Sequence, residues 1–136
     1  MKEENRERIQ KFLEGKESLT EDIFTESEKI LGSVPVILDI LSERDAFFLF
    51  SSLANFSALR PKSLDGKTAE LITMAAAAGA GAEHCLKLHM RAAKKAGATR
   101  DEILDTLLIA SIIGQTRVLA TSLRVLDKEF RDDPEK

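Results

Sequence analysis

Apolar residues recur at helical spacing along the whole chain, and no window alternates apolar and polar residues with a period of two. The pattern therefore predicts an all-α fold, a compact bundle of about six to eight helices. A charged first helix carries a narrow apolar stripe, and Ser18 or Thr20 is suited to cap a second helix that runs to about Leu31. We expect a short helix from Pro35 and a Phe-rich helix over 43–59.

A loop at 60–66, rich in Pro, Gly and Asp, precedes an Ala-rich second half. Helices are predicted at about 67–78 and 82–96. The link between them, Gly79-Ala80-Gly81, is short enough to force a central antiparallel hairpin.

Two helix boundaries follow the hairpin. Gly97 is expected to follow directly after a helix C-terminus. Thr99 and Glu102 are spaced to form a capping box for the next helix. That helix is expected to end near Gly114, before a last helix to about Phe130. Apolar residues in 101–113 cover more than one helical face, which predicts a packed subunit interface.

Length, charge and composition limit the classes of protein to which the chain can belong. With 136 residues, the chain is expected to form a single domain, 1–136, with N-terminal helices over 1–58 and a core over 59–127. The net charge of -3 disfavours nucleic acid as a partner. The first ten residues do not resemble a signal peptide, so we expect a cytoplasmic protein with a reduced thiol. Residues 103–126 are interrupted by charges, and no membrane span is expected.

The only cysteine and both histidines of the chain lie within 84–89. On a helix, Cys85 and His89 share one face one turn apart, so the imidazole can take the thiol proton, while His84 points about 100° away from Cys85. A reactive thiol needs such a base, a cation or a helix N-terminus beside it. The alternative is a small buried cysteine with two surface histidines.

Glu70 is the second candidate, because no other ionisable residue occurs in 70–78. If the hairpin forms, Glu70 faces the helix of Cys85, and the carboxylate, the thiol and one or two imidazoles share a water-poor crevice. The alternative is an exposed carboxylate paired with Lys67.

The second half of the chain resembles the carboxymuconolactone decarboxylase / alkylhydroperoxidase D-like family. The resemblance covers about residues 59–127 and rests on four fragments: the stretch SLDGKTAELI at 63–72, the spacing Cys85-x3-His89, Gly97-Ala98-Thr99 and Glu102-Ile103. It implies an all-helical protein that assembles as a trimer or hexamer.

The peroxidase branch of that family carries a Cys-x-x-Cys-x-x-x-His motif and an upstream Glu. The resemblance therefore implies that Cys85 is the peroxide-attacking cysteine, His89 the following His, His84 the His between the cysteines and Glu70 the relay carboxylate. Ala82 occupies the position of the first cysteine, so an ordinary disulfide cycle is not possible within one chain.

Three functions remain open at this point. The first is a thiol peroxidase that reduces a small hydroperoxide and is regenerated by an external thiol. The second is a lactone decarboxylase that uses His89 or Glu70 as an acid, with Arg91 or Arg117 holding the substrate carboxylate. The third is a metal-binding or redox-sensing module. For the two enzymes, no cofactor or metal is expected.

Overall fold

The computed structural model describes residues 1–131. Within this range the chain forms helices and no strand, which confirms the all-α prediction. The helices are α1 (Glu3–Glu14), α2 (Lys16–Leu31), α3 (Val36–Leu41), α4 (Asp45–Leu59), α5 (Gly66–Gly79), α6 (Glu83–Lys95) and α7 (Arg100–Arg131). The chain divides into two compact units, Met1–Ala69 and a second that begins at Glu70.

The N-terminal unit is built around α2 and α4. Ile23, Phe48 and Leu49 are buried together at its centre, and Phe24 meets Phe48 edge to face at 5.8 Å between ring centroids. Aromatic pairs prefer this geometry because the positive ring edge faces the negative ring face. The apolar stripe predicted on α1 contributes to the same core through Phe12 and Leu13.

An open groove of about 760 Å³ lies in the same unit. Its wall includes Lys16 and Asp45, which form an ion pair of 2.6 Å. The hydrogen bond to Asp45 raises the pKa of Lys16. Both side chains are nearly half exposed, so solvent screening leaves this pair a minor part in stability.

The start of α2 differs from the prediction. The helix begins at Lys16, directly after Gly15, so Ser18 and Thr20 lie inside α2 and cap nothing. The predicted break after Leu31 is confirmed, because Gly32 adopts φ +82°, a left-handed conformation that ends the helix. The prediction of a side-chain cap at Ser18 or Thr20 was wrong because Gly15 already separates α1 from α2.

Gly81 makes the turn of the hairpin. It has φ +68°, and the amides of Gly81 and Ala82 donate to the carbonyls of Ala78 and Ala77 at 3.1 and 2.9 Å. This pair of bonds is a Schellman motif, which satisfies the last carbonyls of α5 while reversing the chain. It fixes the start of α6 at Glu83.

The end of α6 forms a second Schellman motif. Gly97 has φ +90°, and the amides of Gly97 and Ala98 donate to the carbonyls of Lys94 and Ala93 at 3.0 and 2.9 Å. The prediction that Gly97 follows the helix C-terminus is therefore confirmed. The capping box is confirmed too: the Thr99 amide donates to Glu102 Oε2 at 2.8 Å, and the Glu102 amide donates to Thr99 Oγ1 at 3.2 Å.

The predicted break at Gly114 is wrong, because α7 continues from Arg100 to Arg131. A glycine inside a helix costs only about 1 kcal/mol relative to alanine, so one glycine does not stop an otherwise helical sequence. By length and composition alone, α7 is long and apolar enough to cross a membrane, with a window of mean hydropathy 1.5 that is 6% buried.

The capping box predicts a measurable contribution to stability. We expect Thr99→Ala to lower the free energy of unfolding by about 1 kcal/mol, because the first turn of α7 loses a hydrogen-bond acceptor. Urea unfolding followed by circular dichroism measures the effect. Thr121→Ala is the matched control, since the Thr121 hydroxyl donates to the Arg117 carbonyl within α7 and does not cap a helix end. Equal stability of Thr99→Ala and the parent protein would contradict the assigned cap.

Candidate active site

The first turn of α5 fixes where Glu70 falls. Asp65 precedes the helix, and its Oδ1 accepts the Thr68 amide at 3.0 Å while the Thr68 hydroxyl donates to Oδ2 at 2.6 Å. These hydrogen bonds hold the pKa of Asp65 below its usual range. The Pro, Gly and Asp content of 60–66 predicted only a loop at Asp65, although an acid three positions before Thr68 has the spacing of an N-cap.

Glu70 is buried on α5 and contacts the facing helix of the hairpin. Its Oε2 lies 2.7 Å from Nδ1 of His89 on α6. The side chains of Glu70 and His89 are 2% and 11% exposed. A residue near the start of α5 thus meets one in the middle of α6, as expected of an antiparallel hairpin. Both the hairpin and the predicted direction of Glu70 are confirmed, and the exposed carboxylate is the wrong alternative.

The burial of this pair requires each side chain to hydrogen-bond a partner. A charged group removed from water needs a hydrogen-bonded or charged partner, and each of the two side chains supplies one for the other. With Glu70 ionised, its oxygens only accept hydrogen bonds, so the hydrogen of the short contact belongs to His89 Nδ1. Nε2 is then the nitrogen of a neutral His89 that is available as a base.

Cys85 and His84 are both exposed. Glu70 and His89 are therefore buried together without Cys85, and the prediction that the thiol shares a water-poor crevice with them is wrong. The alternative of a buried cysteine with two surface histidines is wrong as well, because Cys85 is exposed and His89 is buried. Both predictions placed Cys85 away from solvent, whereas it is exposed on α6.

Cys85 lies in the first turn of α6, since the helix begins at Glu83. Amide groups of a first turn lack intrahelical acceptors and favour negative charge near them. Four residues separate Cys85 from His89, which is about 6 Å along the helix axis.

Small and apolar residues close to Glu70 or His89 in the sequence are buried as well. On α6, Leu88, Ala92 and Ala93 are buried next to His89 in the sequence, and on α5 Met74 and Ala77 are buried one and two turns after Glu70. The alanines allow the two helices to approach closely. Arg91 and Arg117, the residues proposed to hold a substrate carboxylate, are exposed.

The metal-binding alternative finds no support in the geometry. Among residues 1–131, no group of three or more His, Cys, Asp and Glu side chains is arranged to hold a metal ion. A closed zinc site needs four ligands and a catalytic one needs three. The Glu70–His89 pair supplies two.

Comparison with known protein families identifies a match. The sequence profile of the Carboxymuconolactone decarboxylase family matches residues 46–128, more than half of the chain. The match begins earlier than the resemblance found by inspection and includes most of α4. Searches of curated proteins and of solved structures gave no significant match. The extent of the profile match shows that this chain belongs to the carboxymuconolactone decarboxylase family.

Proposed function

We propose that the protein is a thiol-dependent peroxidase that reduces small hydroperoxides through Cys85. One observation carries the proposal: a buried Glu70–His89 pair with a 2.7 Å contact lies one helical turn from an exposed cysteine. Such a series of acid, imidazole and nucleophile has the logic of a catalytic triad, in which a carboxylate orients the base that activates the nucleophile.

Proton transfer begins at the thiol. His89 Nε2 takes the proton of Cys85, and the carboxylate of Glu70 stabilises the imidazolium that forms. The first turn of α6, where amides lack intrahelical acceptors, favours the negative thiolate. His84, adjacent to Cys85 and exposed, is a second donor for the product alcohol.

The redox step balances with a hydroperoxide alone. The Cys85 thiolate attacks the terminal oxygen, the O–O bond breaks, and the alkoxide takes the proton held on His89 to leave as an alcohol. The sulfur is oxidised to a sulfenic acid and the hydroperoxide is reduced by two electrons.

Regeneration requires a thiol from outside the chain, because Cys85 is the only cysteine. The external thiol condenses with the sulfenic acid, which releases water and leaves a mixed disulfide. A second thiol then attacks that disulfide and frees Cys85. The exposure of Cys85 suits this role, since a bulky thiol can approach it from solvent.

The second candidate is decarboxylation of a lactone acid by His89 and Glu70 without sulfur chemistry. It is favoured by one specific observation: the buried acid–base pair is complete without Cys85, which is exposed, and Ala82 stands where the family's peroxidases have their first cysteine. Loss of carbon dioxide leaves a dienolate, and protonated His89 supplies the proton that quenches it.

Thiol alkylation separates the two functions. We expect iodoacetamide treatment to abolish consumption of an organic hydroperoxide in the presence of excess dithiothreitol, because the nucleophile is blocked. Conversion of a cyclic muconolactone-type acid, followed by its ultraviolet absorbance, is expected to be absent both before and after treatment. Hydroperoxide consumption is measured by colorimetric assay of the remaining peroxide.

The same assay can overturn the proposal. Conversion of the lactone that survives alkylation would establish the decarboxylase instead. Hydroperoxide consumption that is unchanged by complete alkylation, verified by mass spectrometry, would remove Cys85 from the mechanism.

A further inference from the structure

The side of α6 opposite His89 is basic. Lys87, Arg91 and Lys94 are separated by four and three residues, so they share one face of the helix. We call these three residues the basic stripe. Its central member, Arg91, lies about 200° around the helix axis from the buried His89.

The basic stripe concentrates positive charge in a chain that is negative as a whole. Residues 71–99 contain four Lys or Arg and a single acid, Glu83, whereas the chain has a net charge of -3. All three members of the stripe are exposed. The ion pairs found within residues 70–131 involve other side chains, so no acid of that range neutralises the stripe. Its charge therefore acts on molecules that approach α6.

The stability of α6 accounts for only part of this charge. Lys94 lies in the last turn, where the helix dipole favours a cation. Lys87 and Arg91 lie before that turn and gain nothing from this effect. They are also like charges four residues apart, an arrangement that slightly destabilises a helix. A negatively charged partner explains the stripe better than the helix itself does.

The stripe begins close to the thiol. Lys87 follows Cys85 by two residues, about 3 Å along the helix axis, and Arg91 follows it by about 9 Å. Side chains of a helix tilt toward its N-terminus, the end at which Cys85 lies. Cys85 is about 120° around the axis from Arg91, so a partner seated on the stripe leaves the exposed thiol accessible at the helix end.

We infer that the basic stripe is the docking surface for the reductant of Cys85, and that this reductant is a protein with acidic residues around its own cysteine. The inference rests on the proposed function, in which an external thiol condenses with the sulfenic acid to give a mixed disulfide and water. Opposite charges accelerate encounter and orient the partner. A nucleic acid or an anionic lipid would meet the same charges, but neither carries a thiol.

Thiol exchange on a labelled protein tests the charge of the partner without peroxidase turnover. Cys85 is first converted to a mixed disulfide with an uncharged pyridyl thiol. A thiolate that attacks the Cys85 sulfur breaks this bond, forms a new disulfide and releases thiopyridone, which takes a proton from water. The absorbance of thiopyridone gives the rate. The probes are two pentapeptides with a central cysteine, flanked on both sides by glutamates in one and by glutamines in the other.

Removal of the stripe is expected to abolish the preference for the acidic peptide. At an ionic strength of about 0.01 M, we expect the ratio of acidic to neutral exchange rates to be about tenfold higher in the parent protein than in Lys87→Gln/Arg91→Gln/Lys94→Gln. Comparison of ratios cancels the difference in intrinsic reactivity between the two peptides. Circular dichroism verifies that the variant remains helical.

Lys2→Gln/Lys11→Gln/Lys62→Gln is the matched control, since it removes three exposed basic residues from the N-terminal unit. The net charge changes equally, and the ratio is expected to stay within about twofold of the parent value. The parent protein alone gives a second measurement. Its ratio is expected to fall as salt shortens the Debye length from about 30 Å at 0.01 M to about 3 Å at 1 M.

Two results would overturn the inference: a parent ratio at low salt that equals the ratio of the stripe variant, or a parent ratio that does not respond to salt. Failure of the proposed function has a different signature. The parent protein would then not consume a hydroperoxide with dithiothreitol, an uncharged thiol, whatever the outcome of the exchange experiment.

Discussion

Cys85→Ser is expected to bring hydroperoxide consumption down to the uncatalysed rate. A serine hydroxyl is similar in size to the thiol, but it does not ionise readily and cannot accept oxygen from a peroxide as sulfur does. Because Cys85 is exposed, the substitution is expected to leave the free energy of unfolding within about 0.5 kcal/mol of the parent value. Peroxide assays and urea unfolding on the same sample measure the two quantities together.

Ala82→Ser is the matched control for this loss. It adds the same hydroxymethyl group at the residue preceding α6 and leaves Cys85 in place. We expect it to retain the parent rate. Full activity of Cys85→Ser would discard the sulfur mechanism, and equal losses in both variants would show that the helix terminus rather than the sulfur was disturbed.

The hairpin could be predicted from the sequence because its signals are local. Gly81 and Gly97 are needed for the left-handed residues of two Schellman motifs, and Thr99 and Glu102 are spaced for reciprocal capping bonds. Each of these devices involves residues within six positions of one another. Such local patterns form the same hydrogen-bonded motifs however the rest of the chain packs.

The burial of Glu70 against α6 could be predicted for a different reason. A single carboxylate in an otherwise uncharged, Ala-rich stretch is costly to bury without a partner. Its burial against His89 thus followed from the absence of other ionisable residues in 70–78, combined with a turn that brings α6 alongside α5.

The exposure of Cys85 could not be predicted, because it depends on where α6 begins. The Schellman bond from the Ala82 amide to the Ala77 carbonyl starts α6 at Glu83, and the thiol then lies in the first turn, where it is exposed. Periodicity gives the relative direction of Cys85 and His89 but not which one faces the core. Packing against α5 decides that.

The length of α7 was missed because Gly114 was given too much weight as a helix terminator. Apolar residues recur about every 3.5 positions on both sides of it, from Ile109 to Phe130, and this recurrence is the stronger signal. No αL residue or Schellman bond is present there among the described residues, unlike at Gly81 and Gly97.

The Glu70–His89 contact predicts that the conservative substitution Glu70→Gln strongly reduces peroxide consumption. Glu70→Gln keeps the shape of the side chain and an oxygen that can accept from His89 Nδ1, but it removes the negative charge that stabilises the imidazolium. We expect peroxide consumption to fall by about 100- to 10,000-fold, the usual contribution of a positioned acid or base. Stability is expected to fall by about 1–3 kcal/mol, because a hydrogen bond to a buried charged group is weakened.

The rate at which iodoacetamide alkylates Cys85 distinguishes this effect from simple loss of structure. If Glu70 acts through His89 on the thiol, Glu70→Gln slows alkylation at neutral pH while circular dichroism at the assay temperature remains that of the folded protein. Glu83→Gln is the matched control: it removes an exposed carboxylate from α6, two residues before Cys85, and is expected to change neither rate by more than about twofold. A Glu70→Gln protein that consumes hydroperoxide at the parent rate would show that the buried pair only stabilises the hairpin, and the sulfur would then have to be activated by the helix terminus alone.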